Sequence, residues 1–217
     1  MNYHFSLQAV VITLAMIAAF SPAVDAKPQQ KSYDIVVYGG TSAGVIAGIQ
    51  AAMIGKSVIL ISPSEHLGGL SSGGLGWTDS GDKRVIGGLS REFYQRIKLH
   101  YDRPAAWKWE SSQQYTRYRK DSDAMWTFEP HVAEKVFDEW VRDANIEVLR
   151  SERLAVDGVV KTKGARIMAI RLESGASISG KMFIDCTYEG DLLAAVGVTY
   201  MVGRERNDQY GESINGV

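Results

Sequence analysis

Cysteine is almost missing from this chain: Cys186 is the only one in 217 residues. That excludes an internal disulfide, and it excludes a cysteine-ligated metal or iron–sulfur centre, which needs several thiolates. An excess of either charge is missing too, with 24 Lys and Arg against 25 Asp and Glu and a formal net charge of −1. Without a basic face the chain is not expected to take nucleic acid as a partner. No apolar run reaches the ~20 residues of a membrane span. The longest, Ala9–Phe20, lies near the N-terminus and is followed by Val24-Asp25-Ala26, a small-x-small cleavage pattern. Residues 1–26 therefore read as a signal peptide cut after Ala26. Its n-region has no Lys or Arg, only His4 and the terminal amine, and no twin arginine precedes the core. We expect unfolded export to the periplasm or beyond, cofactor capture there, and no membrane attachment after cleavage. An anchoring or buried N-terminal helix is the alternative. Residues 27–32 form a short polar leader, and 33–217 the folded domain.

Glycine, by contrast, is abundant, and its placement is informative. Tyr33-Asp34-Ile35-Val36-Val37-Tyr38 is a short apolar strand that breaks into Gly39-Gly40-Thr41-Ser42-Ala43-Gly44 and then a small-residue helix from Ala43 to Ile54. A tight glycine turn lets the backbone approach a pyrophosphate, and the helix N-terminus aims its partial positive charge there. As a G-x-G-x-x-G fingerprint it is imperfect, with Thr41 in the middle place and Gly40 one position early. Gly55 suits the left-handed helix end, and Lys56–Ile61 follows as a buried strand. Strand, turn, helix and strand within about thirty residues make a βαβ unit. The alternative is an ordinary glycine turn of some other α/β protein.

The second strand normally ends in a carboxylate that meets a ribose; here Ser62 stands there, with Glu65 as a loop substitute. Next comes His66-Leu67-Gly68-Gly69-Leu70-Ser71-Ser72-Gly73-Gly74-Leu75-Gly76, too rich in glycine for a helix or a good strand. It is either a flexible loop or a second backbone surface against a cofactor, which a long ligand such as FAD requires more than NAD. Far downstream, Lys181–Asp185 is a strand running into Cys186-Thr187-Tyr188-Glu189-Gly190-Asp191 and an apolar helix, Leu192–Val196. That turn presents its amides and the Asp191 carboxylate to a ligand across the strand ends, or else Asp191 simply caps the helix.

Between these lie a helix at Arg91–His100 capped by Ser90, and an aromatic–cationic excursion from about 80 to 127. Its Trp107, Trp109, Tyr115, Tyr118, Arg117, Arg119 and Lys120 either pack as a satellite cluster or bind a planar ligand such as a sugar. Pro130 opens a helix to Asn145, with Glu129 and His131 as weak acid–base candidates at its start. A strand at 146–149 and a meander of three strands (154–160, 165–172 and 176–184), turning at Lys163-Gly164 and Glu173-Ser174-Gly175, complete the reading. The fold class is α/β, a doubly wound Rossmann-like parallel sheet with an antiparallel β-meander insertion. Cys186 reads as a small buried residue.

Taken together, Tyr38–Gly44, His66–Leu70 with Gly73–Gly76, Ile86-Gly87-Gly88, Phe128–His131, Phe183–Asp191 and Tyr210-Gly211-Glu212-Ser213 resemble the FAD-dependent oxidoreductases of the glutathione-reductase-like superfamily. The likeness is to the branch that joins secreted bacterial flavoproteins with relatives of the flavin-carrying component of heterodisulfide reductase. The resemblance implies a bound FAD and an oxidoreductase acting on a small organic substrate. It implies that Gly39, Gly40, Thr41, Ser42, Ala43 and Gly44 hold the pyrophosphate, and that Ser62 meets the adenosine ribose. Gly68, Gly69 and Leu70 would contact the cofactor, and Thr187, Gly190 and Asp191 would approach the flavin. Ser62 departs from the family pattern in carrying no charge. No catalytic residue is assigned, and some relatives' iron–sulfur clusters have no ligands here. A complete enzyme of this type needs more than the ~190 residues left after cleavage, so a piece of a longer enzyme is expected. A binding module without turnover, or a carbohydrate-processing protein, are the rival readings.

Overall fold

The computed structural model describes residues 31–214, except 162, 163 and 165. The proposed signal peptide, most of the leader and the Lys163 turn position lie outside the described residues. The first strand, β1 (Ser32–Tyr38), runs into helix α1 (Ser42–Met53) and then β2 (Val58–Ile61). Helices α2 (Gly88–Tyr101) and α3 (Pro130–Asp143) precede β3 (Glu147–Leu149). The strands β4 (Leu154–Lys161), β5 (Ile167–Leu172) and β6 (Ser177–Asp185) follow, then two short helices, α4 (Asp191–Ala195) and α5 (Asn207–Tyr210).

All six strands form one sheet in the order β3-β2-β1-β6-β5-β4. The first four are parallel and the last two antiparallel, so the expected meander extends the main sheet. Strand β6 joins the two regimes: Ser177–Ser179 pair with β5, while Ser179–Asp185 pair with β1. The antiparallel end folds back over the sheet, since the amide of Leu154 donates to the Tyr38 hydroxyl at 2.9 Å.

The period of two along a strand sorts the core into two layers. Val37, Val58 and Leu60 face α1, α2 and α3, where they meet Val45, Ile49, Phe93, Val136, Phe137 and Trp140. Val36, Tyr38, Ile59 and Ile61 face the other way, onto Ile170, Leu172, Ile178 and Leu192. Both faces of β2 and of the second half of β1 are covered, which is why 35–38 and 58–61 read as unbroken apolar runs.

Helix ends follow the sequence with one correction. α1 closes in a Schellman motif: the amide of Gly55, in the left-handed region, donates to Ala52 and that of Lys56 to Ala51. α3 starts at Pro130 as expected. α2, however, begins at Gly88, with Gly87 at its N-cap and no side-chain cap. Ser90 is inside the first turn, because the chain enters the helix from Ile86-Gly87-Gly88 three residues early.

The aromatic excursion divides. Trp107, Tyr115 and Tyr118 join the first core layer, and the Trp107 indole donates to the Tyr101 carbonyl at 2.8 Å. Trp77, Trp126, Arg117 and Arg119 instead line a cavity.

Candidate functional site

Three strand-to-loop exits, after β1, β2 and β6, lie side by side on the same sheet edge because those strands are parallel neighbours. Between them opens a groove of about 610 Å³, lined by Gly39, Gly40, Thr41, Ser62, Gly69 and Thr187 among others. Ligand pockets in general span ~300–1,000 Å³, so the size is suitable. Its floor is the mouth of the first crossover.

That mouth is closed tightly against its neighbours. Gly39 has φ +113°, and a Cβ on it would lie 2.5 Å from the carbonyl carbon of Cys186. A Cβ on Gly44 would lie 1.9 Å from the Gly39 oxygen, so the helix can start this close to the turn only with glycine there. Thr41, the departure from the glycine fingerprint, proves to be a staple. Its hydroxyl accepts from the Gly44 amide at 3.3 Å, capping α1, and donates to the Cys186 carbonyl at 2.8 Å. One side chain thus ties the first exit to the third. The first-turn amides of Ser42 and Ala43 point out of the helix end, where no carbonyl of the preceding turn can meet them.

Ser62 ends β2 as expected, fully buried. Its hydroxyl donates to the Ser64 carbonyl at 2.7 Å and accepts from the Ser64 amide at 3.2 Å. With its one proton committed, it has a single lone pair left for a ribose hydroxyl. Glu65, the suggested substitute, is absent from the lining, whose carboxylates are Glu134, Glu189 and Asp191; Glu134 of α3 accepts from His66 Nδ1 at 2.7 Å. That bond raises the His66 pKa above its ordinary value, and the charge of Glu134 adds to it.

The glycine loop is an ordered surface. The Gly68 amide donates to the Gly40 carbonyl at 2.8 Å, which presses the loop against the first turn. Gly69 lies beneath the Tyr188 hydroxyl, which accepts from the Leu70 amide at 2.7 Å. In the third exit, Gly190 is the left-handed N-cap residue of α4 and Asp191 opens the helix at the groove rim. The Thr187 hydroxyl accepts from the Asp191 amide and donates to Asp185. Asp185 holds this turn, accepting also from the amides of Thr187 and Leu193, each at 2.9 Å.

Sequence reasoning passed over Asp185, Tyr188, His66 and Glu134 as site residues. Asp185 carried a local signal, a carboxylate ending a strand before a threonine–glycine turn. The others did not, since Tyr188 meets Leu70 118 positions away and Glu134 meets His66 68 positions away. Glu129, the weak acid–base candidate, accepts from the Tyr101 hydroxyl at 2.9 Å, while His131 reaches the groove rim. Cys186 is half-buried and burial pushes its thiol pKa up, so it is a poor nucleophile. Among the described residues that line the groove there is no Lys or Arg. Positive potential on its floor comes from the α1 end, equivalent to ~0.5 of a charge.

A parallel sheet whose first crossover opens onto a glycine-floored groove, with no side chain filling the helix mouth, defines a dinucleotide-binding α/β protein. The chain matches the family model of the FAD dependent oxidoreductases over residues 34–217, and it belongs to that family. FAD is that family's cofactor. Among curated proteins, none matches the sequence. Among solved structures, the chain is similar to the L-proline dehydrogenase from P.horikoshii, with 14% identity and a TM-score of 0.54. It is also similar to a geranylgeranyl bacteriochlorophyll reductase-like protein from Thermoplasma acidophilum, with 15% identity and a TM-score of 0.52. The matches cover 80% of this chain and 58% of the first structure, and 81% of this chain and 44% of the second, so it spans about half the length of these structures. At such identities the shared property is the fold. The residues present fit FAD: the floor is bare backbone at a helix N-terminus, and the groove runs on past Ser62 toward His66.

Proposed function

We propose that this chain is the FAD-binding part of an exported oxidoreductase that passes hydride or electrons from a small organic substrate to flavin. The observation that carries the reading is the groove at the α1 N-terminus, flanked on one sheet edge by all three loop exits. Gly39, Gly40, Thr41, Ser42, Ala43 and Gly44 hold the pyrophosphate through backbone amides. Ser62 and the 62–66 loop lie along the adenosine side, and Gly68, Gly69 and Leu70 form the wall. Thr187, Gly190 and Asp191 stand toward the flavin, oriented by Asp185. When bound, FAD supplies the redox chemistry, and the protein's part is to hold it, orient it and shield it from water. Export rests on the N-terminal segment alone.

The test is an absorbance spectrum of the purified protein, with and without added FAD. Flavin bands that bleach with dithionite support the reading; a colourless protein that takes up no FAD overturns it. For export, the N-terminal residue of mature protein should be Lys27, and a cytoplasmic precursor already loaded with FAD argues against it. A second reading, a flavin-binding module without turnover by itself, is favoured by the partial coverage of the similar structures. Oxygen consumption across a substrate screen separates the two.

A further inference from the structure

A second cavity of about 470 Å³, sharing no lining residue with the groove, lies between residues 77–83 and 116–127. Its two walls are joined by backbone: the Thr78 amide donates to Trp126 and the Phe128 amide to Gly76, around the bridge between Trp77 and Thr127. Three cations line it, Lys83, Arg117 and Arg119, against one carboxylate, Asp79. The Arg117 guanidinium lies over the Trp77 ring, 3.5 Å from its centroid, and Lys83 stands 5.8 Å from that of Trp126. Each indole face therefore helps to position a cation at the cavity.

Several arginines elsewhere are paired, Arg84 with Asp82, Arg91 with Asp123, Arg96 with Glu92 and Arg150 with Asp138, although Arg103, Arg153 and Arg171 have no ion pair among the described residues. Among the described residues, Lys83, Arg117 and Arg119 have no carboxylate within ion-pairing distance. Ser80 lines the same cavity, and its shielded hydroxyl has no hydrogen-bond partner among the described residues. Cations drawn together around a hollow repel one another, and an unpartnered hydroxyl is a cost; an anion in the cavity relieves both.

We propose that this cavity is a binding site for the oxyanion group of a small molecule, a carboxylate or a phosphate, gripped by Arg117 with Arg119 and Lys83. A guanidinium fixed on an indole face offers two parallel N–H donors to either group. The site does not depend on the flavin reading, because its residues and those of the groove are separate.

The full chain is titrated at low ionic strength with D-glucuronate, inorganic phosphate and neutral D-glucose, following tryptophan fluorescence with calorimetry alongside. Glucuronate or phosphate, whichever carries the matching group, is expected to bind saturably and glucose is not. Arg117→Ala should weaken binding by ~10-fold or more, as loss of a charge-assisted pair implies. Arg119→Gln is the second variant should Arg117→Ala fail to fold, and flavin content should be unchanged in both. If neither anion binds, if glucose binds as well as they do, or if flavin is lost with Arg117, the proposal is overturned.

Discussion

The nucleotide groove has no Lys or Arg among its described lining residues, whereas the cavity beside Trp77 has three cationic side chains. Both are proposed to receive a negatively charged group, although the groove is also lined by Glu134, Glu189 and Asp191. In the groove the positive charge comes from a helix end, so it is inseparable from the turn, the sheet edge and the core beneath. In the cavity it comes from long side chains, two of them against indole rings, on the excursion between the helices. A backbone receptor is rigid and unforgiving of substitution; a side-chain receptor can lose one member and keep its fold. The first suits a cofactor that stays, the second a small molecule that comes and goes.

The difference should be plainest at Gly44. A Cβ there overlaps the Gly39 oxygen, so Gly44→Val must reshape the crossover mouth. Flavin per protein after gel filtration is expected to fall to background, and retention of cofactor would break the assignment. The next effect is on the support beneath the groove. Phe137 stacks on Phe93 at 4.6 Å and lies directly under Gly68. Phe137→Ala should cost ~3–5 kcal/mol in chemical denaturation, with weaker FAD retention; a loss of stability with unaltered retention would separate groove from core.

Smaller is Asp185→Asn. It removes charge from three hydrogen bonds at the third exit, at a cost of ~1–3 kcal/mol. The flavin spectrum should shift while pyrophosphate retention holds, and an unchanged spectrum would detach this turn from the flavin side. The slightest effect is that of His66 and Glu134, both at the groove rim. Folding raises the His66 pKa above its ordinary 6.5, through the Glu134 hydrogen bond first. The pair's stabilisation is therefore fully present below pH 6.5 and is lost as pH rises through the raised value. Melting temperatures of the parent and Glu134→Gln should differ at pH 5.5 and converge in alkali, with the NMR titration of His66 moving down in the variant.

Much of the groove was legible along the chain because its parts are local. A glycine turn between a strand and a helix is a pattern of neighbours, as is the left-handed Gly55 that ends α1. The same holds for 35–38 and 58–61, whose unbroken apolar character announces burial on both faces. What could not be read was partnership. Thr41 looked like a flaw in the fingerprint until its hydroxyl was found on Cys186, 145 positions away. Ser62 occupied the expected place, but its proton is committed to Ser64. The start of α2 was misplaced because Ser90 is a good capping residue in isolation, while the chain's path from Ile86 set the true entry.

The linear order of residues determined that a glycine turn would meet a helix end and that two strands would be buried on both faces. Those follow from short-range sterics and composition, which require no partner. Tertiary structure alone decided that three distant loops share one edge, that Tyr188 covers Gly69, and that Lys83, Arg117 and Arg119 gather around one hollow. Such meetings depend on which strands are neighbours in the sheet, and that choice is made by packing across the whole core.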